Sequence, residues 1–321
     1  AAASACLPEG TIVADLGDHR LKGLEESERI RQVLPPALSG RKFPPINSLT
    51  RAQTNLPPQR TSFIGREREV GELAGLLATG RHLVTITAPG GTGKTRLALR
   101  VGAEMLDKFP GGVWLADLSE TKTADDIARA VAVAFSLPLT SNEEAATVVG
   151  HCLQARPPLL LILDNFEQII DHSPQTVGRW MKLAPNASFL VTSRFLLGLA
   201  DEIEFQLPPL SAPPVTGVTG AHDLLAGYDS VNLFIERSRE SKPDFAITDA
   251  NAHDIAQICT ELEGIPLAIE LAAARIRIMQ RSQFVAKLHL KFELLSSSRR
   301  DLPSPRHRGQ PQGRRGRPAA G

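Results

Sequence analysis

The chain has 321 residues, 42% of them apolar, a formal net charge of +1 and three cysteines, Cys6, Cys152 and Cys259. That is length enough for about two domains, and the near-neutral balance gives no overall attraction to nucleic acid or to an anionic membrane surface. Scattered cysteines without a C-x-x-C pair argue against a disulfide framework or a zinc site, and no apolar run approaches the roughly 20 residues that span a bilayer, so the reducing cytoplasm is the expected compartment.

The first residues alternate as a strand would, through Thr11, Ile12, Val13, Ala14, Asp15 and Leu16. Residues 1–45 are too few to bury a core of their own. They are expected to be the end of a domain whose body is missing, and the Ala rather than Met at position 1 fits a fragment. Six prolines between Leu34 and Gln59 make extended sequence with few helix formers, and residues 46–60 are assigned as a linker.

From Thr61 to Leu210 helical and strand patterns alternate, which predicts a parallel sheet covered by helices. Val70, Leu73, Ala74 and Leu77 share one face of a first helix. The apolar run Leu83, Val84, Ile86 then feeds Thr87-Ala88-Pro89-Gly90-Gly91-Thr92-Gly93-Lys94-Thr95, directly ahead of a helical stretch to about Asp107. This is a phosphate-binding loop in the setting it requires. The glycines let backbone N–H groups curl around phosphate oxygens, and the helix N-terminus adds partial positive charge. Pro89, Gly90, Gly91, Thr92 and Gly93 are the expected cradle, Lys94 reaches the β- and γ-phosphates, Thr95 holds Mg²⁺, and Arg96 completes the set. Ala88 stands where the pattern usually has its first glycine, a small-for-small change.

Val113 to Leu118 is the next strand, and Thr123 with Asp126 forms a capping-box start for a helix from Ala124 to Phe135. A loop at Ser136 to Thr140 and a second helix to about Gln154 follow. Leu159-Leu160-Leu161-Ile162-Leu163 then runs into Asp164, seventy positions after Lys94. An apolar run without alternation is what a strand covered on both faces shows, and a carboxylate at its C-terminal end would emerge beside the loop and bind Mg²⁺. Asn165 stands where many ATPases with such a phosphate-binding loop carry a second acid that orients the attacking water, which predicts weak hydrolysis. Glu167 either substitutes for that acid or is only a favourable first-turn charge of a helix expected to run to about Leu183. Arg194 follows the strand Ser188 to Ser193, on the edge where open α/β sheets bind ligands. There it could sense the γ-phosphate and stabilise its charge. A last strand runs from Glu202 to Leu207.

From Asp229 the periodicity is helical: Val231, Phe234 and Ile235; then Ile255, Ile258 and Leu262, stopped by Gly264; then Pro266 at a helix start, with Leu267, Leu271, Ala274 and Ile278. Thr248 reads as an N-cap, and Trp114, Trp180 and Tyr228 as packing residues. Residues 299–321 hold seven arginines among prolines and glycines. They are expected to be disordered, and either bind anionic partners or mark a truncated or frame-shifted end.

The ordered set Phe63-Ile64-Gly65-Arg66-Glu67, Pro89 to Thr95, Leu161 to Asn165, Thr192-Ser193-Arg194 and Gly264-Ile265-Pro266-Leu267-Ala268 resembles a signal-transduction ATPase of the NB-ARC type, over about residues 61–295. Such ATPases occur in plant disease-resistance proteins, apoptotic-protease activators and large bacterial transcriptional regulators. The resemblance implies an α/β P-loop nucleotide-binding domain at 61–215, a small all-helical lid at 216–295 and a basic tail at 296–321. It also implies that Ile64, Gly65 and Arg66 hold the adenine and ribose of ATP or ADP, and that Pro266 closes the nucleotide from the helical side. ADP would then hold a closed form and ATP an open, self-associating one, with the sensed ligand and output domain, including any DNA contact, lying in segments not present. Leu7 to Gly10, Asp15 to Leu24, Glu28 to Ile30 and Gln32-Val33 resemble the last strands of a class III adenylate/guanylate cyclase domain. That family's catalytic aspartates lie upstream of them, so no cyclase activity is expected. A nucleotide-dependent switch with weak ATPase activity is favoured over a cyclase fragment and over a regulator that binds DNA through its basic tail.

Overall fold

The computed structural model describes residues 11–20, 27–36, 54–59, 61–139, 144–214 and 227–275. The chain divides into two compact units, Ala1–Ala274 and Arg275–Gly321, and all described residues but Arg275 belong to the first. The basic tail, the lid sequence beyond residue 275 with Ile278, and most of the Pro-rich connector lie outside the described residues.

Two strands, β1 (Ile12–Arg20) and β2 (Ser27–Leu34), pair antiparallel with a bulge between Asp15 and Gly17. Val13 and Val33 face each other across this pair and both stay exposed.

The main body is an α/β layer built from α1 (Glu67–Ala78), β3 (Leu83–Thr87), α2 (Lys94–Glu104), β4 (Val113–Asp117), α3 (Ala124–Ala134), α4 (Ala145–Ala155), β5 (Leu159–Asp164), α5 (Val177–Leu183), β6 (Ala187–Ser193) and β7 (Ile203–Gln206). The five strands form one sheet in the order β4-β5-β6-β3-β7, every neighbouring pair parallel. Alternation along each strand sorts its side chains between two cores. Leu83, Leu159, Leu161, Leu163, Phe189 and Val191 pack with α3, α4 and α5, around a fully buried Trp180. Val84, Ile86, Leu160, Ile162 and Leu190 pack with α1 and α2 on the opposite face. Both faces are therefore covered, which is why β5 reads as an unbroken apolar run. Burying each such leucine contributes about 1.5–3 kcal/mol.

Trp180 keeps its indole N–H satisfied by the Ala146 carbonyl at 2.9 Å, the requirement for burying that ring. Thr123 and Asp126 form the capping box on α3. At the β4 edge the described end of the connector is tied in: the Asn55 side chain both accepts from and donates to the Leu115 backbone, at 2.7 and 2.8 Å.

One expected helix starts late. After β5 the chain makes two short 3-10 turns, Phe166–Gln168 and Ile170–His172, before the seven-residue α5. Asn165 takes a left-handed conformation, φ 64°, which starts the first turn outside helical geometry. The buried Ser173 hydroxyl then donates to the Leu197 carbonyl at 3.0 Å, tying the segment to the loop after β6.

Three helices follow: α6 (Asp229–Ser241), α7 (Asp249–Glu261) and α8 (Pro266–Ala273). Thr248 caps α7, its N–H donating to the Asn251 side chain at 2.7 Å. Pro266 starts α8 at its first turn, where a missing N–H is harmless. No described helix is long and apolar enough to cross a membrane.

Candidate phosphate-loop site

The loop between β3 and α2 turns through Gly91 and Gly93, both at positive φ (82° and 92°), a geometry that any side chain would strain. Gly93 stands at the N-terminus of α2, so the open N–H groups of the helix point back into the loop. Lys94 is buried, and its ammonium donates to the carbonyls of Ala88 at 2.8 Å and Pro89 at 3.3 Å. Burial lowers the pKa of that ammonium, and the nearby Arg194 charge lowers it further, against Glu167 and Asp164, which favour the charged form.

The carboxylate end of β5 meets the start of α2. The Thr95 hydroxyl donates to Asp164 Oδ1 at 2.8 Å and stands 3.0 Å from Oδ2. From the intervening strand β6, Thr192 donates to Asp164 Oδ1 at 2.5 Å. Burial raises the Asp164 pKa, the two hydroxyls oppose that rise, and the charges of Asp117 and Glu167 add to it. The side-chain amide of Asn165 is spent locally, donating to Asp117 and Asp164 at 3.2 Å each.

Arg194, just beyond β6, is more than half exposed and pairs through Nε with Glu167 Oε1 at 3.3 Å. Its outer nitrogen lies beside Gly90 of the loop. Glu167 Oε2 is buried without a hydrogen-bond partner.

Gly90 to Gly93, Lys94, Thr95, Asn165, Glu167 and Arg194 border a cleft of about 380 Å³ lined on its apolar side by Phe63, Ile64, Leu210, Leu233 and Pro266. Of the residues expected from sequence, Ile64, Arg66, Gly90, Gly91, Thr92, Gly93, Lys94, Thr95, Arg96, Arg194 and Pro266 line it. Gly65, Pro89 and Asp164 stand behind the wall: Gly65 packs on the Asp229 carboxylate, and the Pro89 carbonyl accepts from Thr92 Oγ1 at 2.8 Å. Arg66, buried and left-handed at φ 72°, begins α1 and reaches the Thr92 carbonyl at 3.5 Å. Arg96 lines the cleft, but its guanidinium is engaged by Thr61, Ser62 and Glu270. Leu210, Leu233 and Glu270 line it too. Nothing local in the sequence marks them, because they arrive from three separate segments.

The helical part is docked onto the loop by backbone. Leu267 N–H donates to the Gly91 carbonyl at 3.1 Å, and Leu210 N–H to the Gly264 carbonyl at 2.9 Å. The cleft thus sets a positive loop and a hydroxyl–carboxylate pair beside an apolar end.

No protein-family model matches the chain. An uncharacterized protein of Mycobacterium tuberculosis is 35% identical over 239 residues, which are 74% of this chain and 56% of that protein. A putative HTH-type transcriptional regulator of the same organism is 32% identical over 221 residues, 69% of this chain and 23% of the regulator. The chain is similar to bacterial regulatory proteins. It spans about half the length of the first of these relatives and about a quarter of the second. Among solved structures, the signal-transduction ATPase with numerous domains and a tetratricopeptide repeat sensor from Pyrococcus horikoshii aligns with 75% of this chain and 34% of its own, at 15% identity and a TM-score of 0.43.

Proposed function

We propose that this chain binds ADP and ATP with Mg²⁺ in the phosphate-loop cleft and acts as a nucleotide-dependent regulatory switch with slow ATP hydrolysis. The observation that carries the reading is the meeting of Thr95 and Asp164 at 2.8 Å at the head of a glycine loop that also holds Lys94. One hydroxyl and one carboxylate fit a magnesium ion, which keeps most of its coordination for water and phosphate oxygens. When bound, the ion would neutralise phosphate charge. Gly90 to Gly93 supply backbone donors, Lys94 the cation for the outer phosphates, and Arg194 a second cation facing the terminal phosphate. Phe63, Ile64, Leu210, Leu233 and Pro266 form the wall for the base, with Arg66 beside the sugar.

The regulatory part of the reading is supported by the docking of the Gly264–Leu267 segment on the loop and by the transcriptional regulator among the relatives. A lid that touches the loop can report which nucleotide is bound, the ADP state being the closed one and the ATP state the one that self-associates. In this reading residues 61–215 are the nucleotide-binding domain and 216–295 the lid, and the protein works in the cytoplasm of a bacterium.

The test is to denature the purified chain and identify what it releases, beside a Lys94→Ala variant. ADP or ATP released by the parent and lost from the variant supports the switch. A parent that releases none and binds neither Mg-ATP nor ADP on titration overturns it.

A further inference from the structure

We infer that Glu167 is the water-activating carboxylate of this cleft, held in check by Arg194 until a terminal phosphate draws the guanidinium away. The inference rests on the cleft being an ATP site and assigns the group that hydrolyses the ATP.

Elimination among the acids at the cleft carries it. Asp164 is committed to the hydroxyls of Thr95 and Thr192. Glu270 Oε1 is shared by Arg96 at 3.3 Å and Arg237 at 3.0 Å. Asn165, in the position after Asp164, has an amide that accepts no proton, and its nitrogen is turned toward Asp117 and Asp164. Glu167 lines the cleft, interacts electrostatically with Lys94 and keeps one buried oxygen, Oε2, without a partner. A buried carboxylate oxygen without a hydrogen bond loses solvation for no return in the fold, and release of Arg194 would free the carboxylate to turn that oxygen to a water in the cleft.

The late start of α5 explains the placement. With Asn165 left-handed and the following residues in a tight 3-10 turn, Glu167 points back to the loop instead of lying on the outer face of a helix. Its other oxygen meets Arg194 Nε at 3.3 Å, and the outer nitrogen of that guanidinium is already beside Gly90. A γ-phosphate on the loop competes for the arginine with more charge than one carboxylate. In the step, the water oxygen forms a bond to the γ-phosphorus, its proton passes to Glu167 Oε2, and the bond from γ-phosphorus to the bridging oxygen breaks. ADP leaves with that electron pair, inorganic phosphate is released, and Glu167 returns the proton to solvent.

The experiment compares the parent chain with Glu167→Gln and Glu167→Asp, measuring Mg-ATP affinity by displacement of a fluorescent ATP analogue and hydrolysis in a single turnover. Thermal midpoints check that each variant folds. The expected result is Glu167→Gln binding within about threefold of the parent and hydrolysing about 10² or more times slower, with Glu167→Asp recovering part of the rate. Hydrolysis at the parental rate in Glu167→Gln overturns the inference, as does a parent that binds ATP and leaves it intact. A parent that binds no nucleotide fails differently, because then the ATP site itself is wrong.

Discussion

Arg96 on α2 and Glu270 on α8 form an ion pair of 3.3 Å that joins the helix after the glycine loop to the last described helix. The same carboxylate oxygen accepts from Arg237 Nε of α6 at 3.0 Å, and Arg237, 7% exposed, also reaches Glu240 at 2.7 Å and the Ser62 carbonyl at 3.1 Å. One acid thus ties the α/β layer to α6 and α8. Replacing Glu270 with Ala leaves the buried Arg237 with Glu240 and Ser62 alone. Removing one partner of a buried charged pair is costly, and with Glu270 itself about a third exposed the expected loss is about 1–3 kcal/mol. The loosened lid should also release a fluorescent ADP analogue about tenfold faster in stopped flow. Unchanged stability and release would show the network to be surface decoration.

Gly264 has φ 64°, and a Cβ there would run into the carbonyl oxygen of Leu210. Gly264→Ala therefore meets two penalties: left-handed backbone costs on the order of 1–3 kcal/mol, and the Leu210–Gly264 hydrogen bond must open. A urea midpoint lowered by that amount is expected, together with nucleotide affinity at least tenfold weaker, because the turn presents Pro266 and Leu267 to the loop. Retained affinity would separate lid docking from binding.

Much of this arrangement was legible in the sequence where the signal is local. The period of the apolar runs located all five strands of the sheet, the glycines located the loop, and the end of the run at Asp164 located the acid. The sequence was misleading from Asn165 to Thr176, where helical composition gives 3-10 turns because one left-handed residue and the Ser173–Leu197 hydrogen bond override propensity; the expected helix exists only as its end, Val177–Leu183. Glu270, Leu210 and Leu233 were not legible as cleft residues. Their importance comes from meeting Arg96 and the loop across more than a hundred positions of chain, a relationship without a local pattern.

Cys259 on α7 is fully buried, and burial pushes its thiol up to about 12. At pH 8 the folded protein holds about one part in ten thousand of thiolate there, and the thiolate is the reactive form. Iodoacetamide followed by peptide mass spectrometry should label the half-buried Cys152 first and Cys259 only on opening of the helical part. The sign for stability follows from the raised value: the contribution is whole below the ordinary thiol value near 9 and is lost as pH rises through the folded one. Labelling of Cys259 should therefore accelerate as pH rises above 9. Equal rates at pH 8 would contradict the burial of this thiol.

Asp164 gives a test in which stability and binding move in opposite directions. Its carboxyl pKa is raised, by burial first and then by Asp117 and Glu167, above the ordinary value of 3.8. The folded chain thus holds that proton more tightly than the unfolded one. The corresponding stability is complete below about pH 3.8 and is lost as pH rises through the folded value, so near neutrality the nucleotide-free protein carries an unfavourable buried charge. Asp164→Asn keeps an oxygen for the Thr95 and Thr192 hydroxyls and removes the charge. Without nucleotide it should melt higher than the parent at pH 7.5, with the difference shrinking toward pH 4. Mg-ATP should reverse the order at pH 7.5: a ligand at 100 times its Kd stabilises the parent by about 2.7 kcal/mol, while the variant, stripped of the acid that faces Thr95, gains little. A variant less stable than the parent without ligand, or equally stabilised with it, would mean that this carboxylate serves the fold and not the phosphate site.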